Sequence, residues 1–186
     1  MIMADEKVYQ EQFQYTRILL SQEKIQARVA EMGAELSRRF RGEKPLLITL
    51  LKGGFIFLAD LCRAMTIPHE LDFMLVRSYE GASTTGTVQI IMDLKTNIEG
   101  RHVVLVEDIV DTGLTLEYIR EHLALRKPAS LMVCCLLDKE EAREVDVPLE
   151  LVGFTVENEY LVGYGLDYNQ LYRNLPFVAA IDPDQA

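Results

Sequence analysis

Three short runs with almost no polar side chain constrain this chain more than any other feature. They are Leu46-Leu47-Ile48-Thr49-Leu50-Leu51, Val103-Val104-Leu105-Val106, and residues 131–137. A strand buried on both faces reads this way, and such strands belong to parallel sheets covered on both sides by helices. Helical patterns lie between the runs. Ser21 reads as an N-cap; Ile25, Val29, Met32, Leu36 and Phe40 then recur every three or four residues until Gly42 closes the segment. Lys52-Gly53-Gly54 ends the first run, and a second helix is predicted over about 55–65. A third is predicted over about 114–125. Residues 71–77 read as a strand and 88–92 as a shorter one. Between them, the Gly-, Ser- and Thr-rich stretch 78–86 predicts a mobile loop. Val178–Ile181 reads as a short late strand. Strands alternating with helices predict an α/β fold built on a mainly parallel sheet.

Charge narrows the partners. With 19 basic and 29 acidic residues the net charge is −10. A surface this acidic repels nucleic acid and anionic lipid, so neither is an expected partner. An anionic small molecule stays possible where Mg²⁺, backbone N–H groups and a few placed Lys or Arg offset its charge. No apolar run approaches the length of a membrane span. The first residues, Met1-Ile2-Met3-Ala4-Asp5-Glu6, lack the basic start and apolar stretch of a signal peptide, so a cytoplasmic location is expected. Cys62, Cys134 and Cys135 form no C-x-x-C, and His69, His102 and His122 are scattered; structural thiols are expected. The length of 186 residues suits a single domain with a full core.

The stretch that carries chemistry follows the second run: Glu107-Asp108-Ile109-Val110-Asp111-Thr112-Gly113-Leu114-Thr115. Two adjacent carboxylates are expected at the carboxyl end of a buried strand, with a third three residues later and a tight turn leading into a helix. Ligands of open α/β sheets bind at the carboxyl ends of the strands. Free N–H groups at a helix start, with small hydroxyl residues and a glycine that permits close approach, cradle a phosphate. Paired carboxylates beside such a cradle can accept hydrogen bonds from ribose hydroxyls and support a metal. A capped helix after a core strand would explain Thr112 and Gly113, and an N-cap would explain Asp111. Neither gives a reason for two acidic residues at the end of a buried strand.

This segment resembles the 5-phosphoribosyl-1-pyrophosphate (PRPP) signature of type I phosphoribosyltransferases, and the resemblance to their hypoxanthine-guanine branch extends through most of the chain. Leu50-Leu51-Lys52-Gly53-Gly54 is similar to the pyrophosphate loop. Arg77-Ser78-Tyr79 with Ser83-Thr84-Thr85-Gly86 is similar to the flexible catalytic loop. Leu137-Asp138-Lys139 stands where the family keeps its base-reading lysine. The stretch from Glu159-Tyr160-Leu161 through Asp167 to Tyr172-Arg173 is similar to the C-terminal part of the site. The fold so implied is a mainly parallel central sheet flanked by helices (core about 43–140) with a small hood from the N-terminal segment and about 141–186.

The resemblance also implies roles. Glu107 and Asp108 would bind the ribose hydroxyls, directly or through Mg²⁺, and Asp167 would contribute to a second Mg²⁺ site. Thr112, Gly113, Leu114 and Thr115 would hold the 5′-phosphate, and Asp111 would take or give the proton at N7 of the purine. Lys52, Gly53 and Arg173 would meet pyrophosphate, with a cis peptide at Leu51–Lys52 left open by the sequence. Lys139, Tyr160 and Leu161 would bind a 6-oxopurine, with Asp167 offering a backbone carbonyl beside Leu161. Ser78 and Tyr79 belong to the flexible loop. The activity implied is Mg²⁺-dependent transfer from PRPP to hypoxanthine or guanine in purine salvage, by a dimer or tetramer. Two other readings remain: a PRPP-sensing regulator without catalysis, which −10 disfavours if it needed a basic nucleic-acid face, and a pyrimidine or adenine phosphoribosyltransferase sharing only the PRPP segment.

Overall fold

The structure is a computed structural model that describes residues 9, 10, 12–79 and 87–183. In chain order its elements are β1 (Arg17–Leu20), α1 (Gln22–Arg39), β2 (Leu46–Leu51), α2 (Phe55–Ala64), β3 (Glu70–Tyr79), β4 (Thr87–Met92), β5 (His102–Val110), α3 (Leu114–Ala124), β6 (Ser130–Asp138), β7 (Leu151–Thr155), β8 (Tyr160–Val162) and β9 (Val178–Ile181). Six strands form the central sheet in the order β4-β3-β2-β5-β6-β7. All its pairings are parallel except β3 with β4. A second, three-stranded sheet, β1-β9-β8, is antiparallel.

The apolar runs lie at the centre of the larger sheet because only there are both faces covered. Along β2, Leu47 faces a cluster with Ile25, Met32 and Leu36 of α1 and Phe57 and Leu61 of α2. Leu46 and Ile48 face the opposite cluster, with Leu116, Ile119 and Leu123 of α3. The adjacent cysteines of β6 divide the same way, Cys134 into the first cluster and Cys135 into the second. Ser21 caps α1 as expected, its Oγ accepting from Lys24 N at 3.3 Å. Among the described residues no helix is long and apolar enough to cross a membrane.

Three expectations need correction. The strand over 103–106 runs on to Val110, so Glu107 and Asp108 lie within it rather than after it. Its partner β6 extends to Asp138, and the ladder continues through Glu107↔Cys135 to Val110↔Asp138. The strand over 71–77 likewise continues, so Ser78 and Tyr79 pair with Val88 and Thr87; the rest of the predicted loop, 80–86, lies outside the described residues. Strands β1, β7 and β8 carry no sequence signal that separated them from coil.

Candidate active site

The carboxyl ends of β2, β5 and β6 all open onto one cavity. It encloses about 430 Å³ and is lined by Lys52, Gly53, Glu107, Asp108, Asp111, Lys139, Tyr160, Leu161, Asp167 and Arg173, together with Leu50, Leu51, Ile109 and Leu166. A second cavity of about 220 Å³ adjoins it, sharing Leu50, Glu107, Ile109 and Asp111 and adding Thr112, Gly113 and Thr115. Residues spread over about two-thirds of the sequence thus meet at one sheet edge. Leu114 stands at the start of α3 without lining either cavity, and Ser78 and Tyr79 stand at the end of β3.

The smaller cavity lies at a helix start. Gly113, left-handed at φ 87°, is the N-cap of α3 and has no side chain with which to cap it. The first N–H groups of a helix have no partner within it, and the helix dipole adds partial positive charge there. Thr112 Oγ1 accepts from Leu114 N at 3.4 Å. From behind, Glu144 N and Val145 N donate to Thr112 O at 2.9 and 3.3 Å, so the turn is fixed by the chain that follows β6.

Two adjacent carboxylates line the larger cavity, and Glu107 lines the smaller one as well. Glu107 is 7% exposed, and its Oε1 has no hydrogen-bond partner. Burial, and then the neighbouring Asp108 charge, push its carboxyl well above the ordinary glutamate value. Burial likewise pushes Asp108 up to about 6, against backbone N–H groups that favour its charged form. A buried acceptor without a donor is costly unless a ligand completes it. Gly53 is shaped by the same carboxylate: a Cβ there would lie 1.9 Å from Asp108 Oδ2.

Opposite them, Lys139 is buried to 7% exposure directly after β6. Its Nζ donates to Asp111 Oδ2 at 3.2 Å, while Asp111 itself is exposed. The sequence singled out both residues but not their pairing. Tyr160 and Leu161 reach the cavity from β8 of the small sheet. Tyr160 stands edge-on to Tyr168, their ring centroids 5.5 Å apart.

The third wall is the turn after β8. Arg173 pairs with Asp167 Oδ1 at 2.7 Å and donates to Gly165 O at 2.7 Å. Gly165, at φ +105°, rests its Cα against the pyrophosphate-loop candidate: a Cβ there would meet Gly53 O at 2.2 Å. The Leu51–Lys52 peptide is cis. Lys52 Nζ donates to Gln170 Oε1 at 2.9 Å, a residue that sequence reasoning missed.

The site's oxygen-rich donor set suits a hard cation such as Mg²⁺, and the unpartnered Glu107 oxygen fits one. Among the described residues no group of three or more His, Cys, Asp or Glu side chains is arranged to hold an ion alone. Both oxygens of Asp167 already have partners: Oδ1 pairs with the Arg173 guanidinium, and Oδ2 accepts from Gln170 N.

Comparison with known proteins covers nearly the whole of this framework. The family model for the phosphoribosyl transferase domain matches residues 16–169. The hypoxanthine phosphoribosyltransferase of Salmonella typhimurium is 49% identical over 167 residues, covering 88% of this chain and 94% of that protein. The hypoxanthine-guanine-xanthine phosphoribosyltransferase of Tritrichomonas foetus is 45% identical over 166 residues, covering 89% and 91%. A crystal structure of a hypoxanthine-guanine phosphoribosyltransferase from Bacillus anthracis superimposes with a TM-score of 0.87 at 42% identity, over 91% of this chain and 100% of that one. A glycine turn at a helix start beside paired carboxylates at the carboxyl ends of a parallel sheet, and a likeness that covers most of the chain, lead to one assignment: the chain belongs to the phosphoribosyltransferase family of enzymes.

Proposed function

We propose that this phosphoribosyltransferase moves the 5-phosphoribosyl group of PRPP to N9 of hypoxanthine or guanine, giving the purine monophosphate and pyrophosphate. One observation carries the choice of base. Lys139 Nζ and Asp111 Oδ2, 3.2 Å apart, set a donor next to an acceptor at the cavity wall. A 6-oxopurine with its proton on N7 presents the complement on one edge: a carbonyl oxygen at C6 and an N–H at N7. An ammonium has donors and no acceptor, so the amino group of adenine would face it donor to donor.

The remaining roles follow from position. Thr112, Gly113 and Thr115 hold the 5′-phosphate, with Leu114 contributing its backbone N–H. Glu107 and Asp108 accept from the ribose hydroxyls. Tyr160 covers one face of the base, and Leu161 and Asp167 offer backbone carbonyls to its edge. Lys52, Gly53 and Arg173 face the departing pyrophosphate, where a positive side chain offsets charge that gathers as the glycosidic bond breaks. Asp111 takes the N7 proton as N9 bonds to C1 of the ribose. Glu107, Asp108 and Asp167 would hold Mg²⁺ together with oxygens of the substrate, since Mg²⁺ is usually bound by one or two carboxylates plus phosphates. When bound, Mg²⁺ supplies charge neutralisation of the pyrophosphate. Ser78 and Tyr79, closing β3, belong to the same reading as part of a catalytic loop.

The enzyme is further proposed to be cytoplasmic, to form one domain whose small sheet and late segment make a hood, and to assemble as a dimer or tetramer. Leu71 and Phe73 of β3 are 42% and 37% exposed and Ile91 of β4 is 48% exposed. Leu71 and Phe73 pair with Leu47 and Thr49 of β2, so they share the face on which α1 and α2 pack. Ile90 packs on the other face, and Ile91 falls at the break in register where Leu75 pairs with Met92 and Val76 with Ile90. A second copy is the expected cover for that apolar strip.

Base selection is the test. With PRPP and Mg²⁺, turnover is expected with 6-oxopurines, none with adenine, and none with any base once a chelator removes the metal. A site that hydrogen-bonds a polar group rejects a mismatched analogue by about 10⁴–10⁵-fold. Comparable use of adenine, or full activity in chelator, would contradict the proposal.

A further inference from the structure

We infer that Gln170 is a positioning residue for pyrophosphate: it holds Lys52 over the leaving-group site without neutralising it. The inference rests on the proposed role of Lys52. Gln170 does not line the cavity, whereas Lys52 does. Lys52 Nζ donates to Gln170 Oε1 at 2.9 Å across 118 residues of sequence. The amide is itself fixed. Gln170 N donates to Asp167 Oδ2 at 2.9 Å, its Nε2 lies 3.5 Å from the same oxygen, and Arg173 pairs with the other oxygen. Asn169 and Gln170 are both left-handed, at φ 50° and 67°, which turns the chain back towards Lys52.

The chemistry of the holder matters. A lysine ammonium has three donors on a flexible stem. One bond to a neutral amide oxygen fixes its place and leaves two N–H groups and the whole positive charge for a phosphate oxygen. A carboxylate at 170 would hold Lys52 more tightly but cancel that charge and add repulsion of its own. Gln170 therefore does for Lys52 what no acidic residue of similar shape could do.

This predicts an order that a merely structural role reverses. Glutamate is nearly isosteric with glutamine, so if Gln170 only shaped the turn, Gln170→Glu would be milder than Gln170→Leu. The inference requires the opposite. Binding of inorganic pyrophosphate to the full chain, with Mg²⁺ present, would be measured by calorimetry for the wild type, Lys52→Ala, Gln170→Leu and Gln170→Glu, with melting temperature as the check on folding. Gln170→Leu should weaken binding about fivefold, the scale of one hydrogen bond, and Gln170→Glu by a further fivefold or more. Unchanged binding in Gln170→Leu alongside a loss in Lys52→Ala would overturn the role of Gln170 alone, as would a Glu variant that binds as well as the Leu variant. Binding insensitive to Lys52→Ala would overturn the reading of Lys52, and this inference with it. If either variant at 170 melts early, Gln170→Ala and Gln170→Asp repeat the neutral-against-acidic comparison, with the same order expected and the reverse order fatal.

Discussion

Burial pushes the Asp108 carboxyl up to about 6, whereas an aspartate in an unfolded chain titrates near ~3.9. A raised carboxyl pKa makes the folded state the better proton binder. The resulting penalty is absent below about 4, grows as pH rises to about 6, and is complete above it, on the order of 2–3 kcal/mol. Asp108→Asn should therefore melt several degrees above the wild type at pH 8, with the gap closing as pH falls to 4, even as the variant loses transfer activity. Equal melting curves at every pH would refute this. Asp111 and Lys139 pose a different question, because each is bound to the other. Asp111→Asn should lower kcat by about 10²–10⁴-fold, the usual contribution of a general base. Lys139→Gln replaces the charged C6 donor with a shorter neutral amide and removes the ion-pair partner of Asp111. The double variant should thus fall little below the worse single one, since residues in contact do not act additively; fully multiplicative losses in steady-state kinetics would mean that the pair does not work as a unit.

Between elements, the contact of Gly165 with Gly53 joins the late segment to the β2–α2 loop. Gly165→Ala meets two obstacles, a backbone at φ +105° and an oxygen 2.2 Å from the new Cβ. Holding an L residue in such a conformation costs about 1–3 kcal/mol. The variant should melt lower and show a raised KM for PRPP, with the KM for the base changed less; equal shifts in both constants would argue against a local effect on the pyrophosphate side. What the sequence revealed of these elements follows burial. β2, β5 and β6 were legible because two covered faces leave an unbroken apolar run, and α1 because one covered face leaves a period near 3.6. β1, β8 and the edge strand β7 were not, since short strands owe their form to partners far along the chain, as Arg17↔Ala180 illustrates. The end of β5 was misjudged for a related reason: Glu107 and Asp108 are polar letters in a buried strand, tolerated there because the site needs them. Most site residues were legible through the family resemblance, whereas Gln170 was not. Its role depends on two left-handed residues, which no local pattern announces.

For the molecule as a whole, exposed Leu71 and Phe73 mark the surface where the proposed assembly would form. Phe73→Glu should lower the molar mass seen by light scattering towards that of a single chain while leaving the far-ultraviolet circular dichroism unchanged. A wild type already monomeric, or a variant that stays associated, would move the interface elsewhere. The two sheets also differ in when they can form. The larger sheet needs only residues up to Thr155, and it carries the turn at the start of α3, the adjacent carboxylates Glu107 and Asp108 and the Lys139–Asp111 pair. The smaller one pairs β1 with β9, joining Arg17 to Ala180, and holds β8 with its Tyr160 through the same late strand. On the ribosome, the half proposed to bind ribose and phosphate can therefore take shape while the chain is still being made. Tyr160, the ring proposed to cover the base, must wait for residues 178–181, so a nascent chain would hold the proposed base-selecting pair before the ring that covers the base.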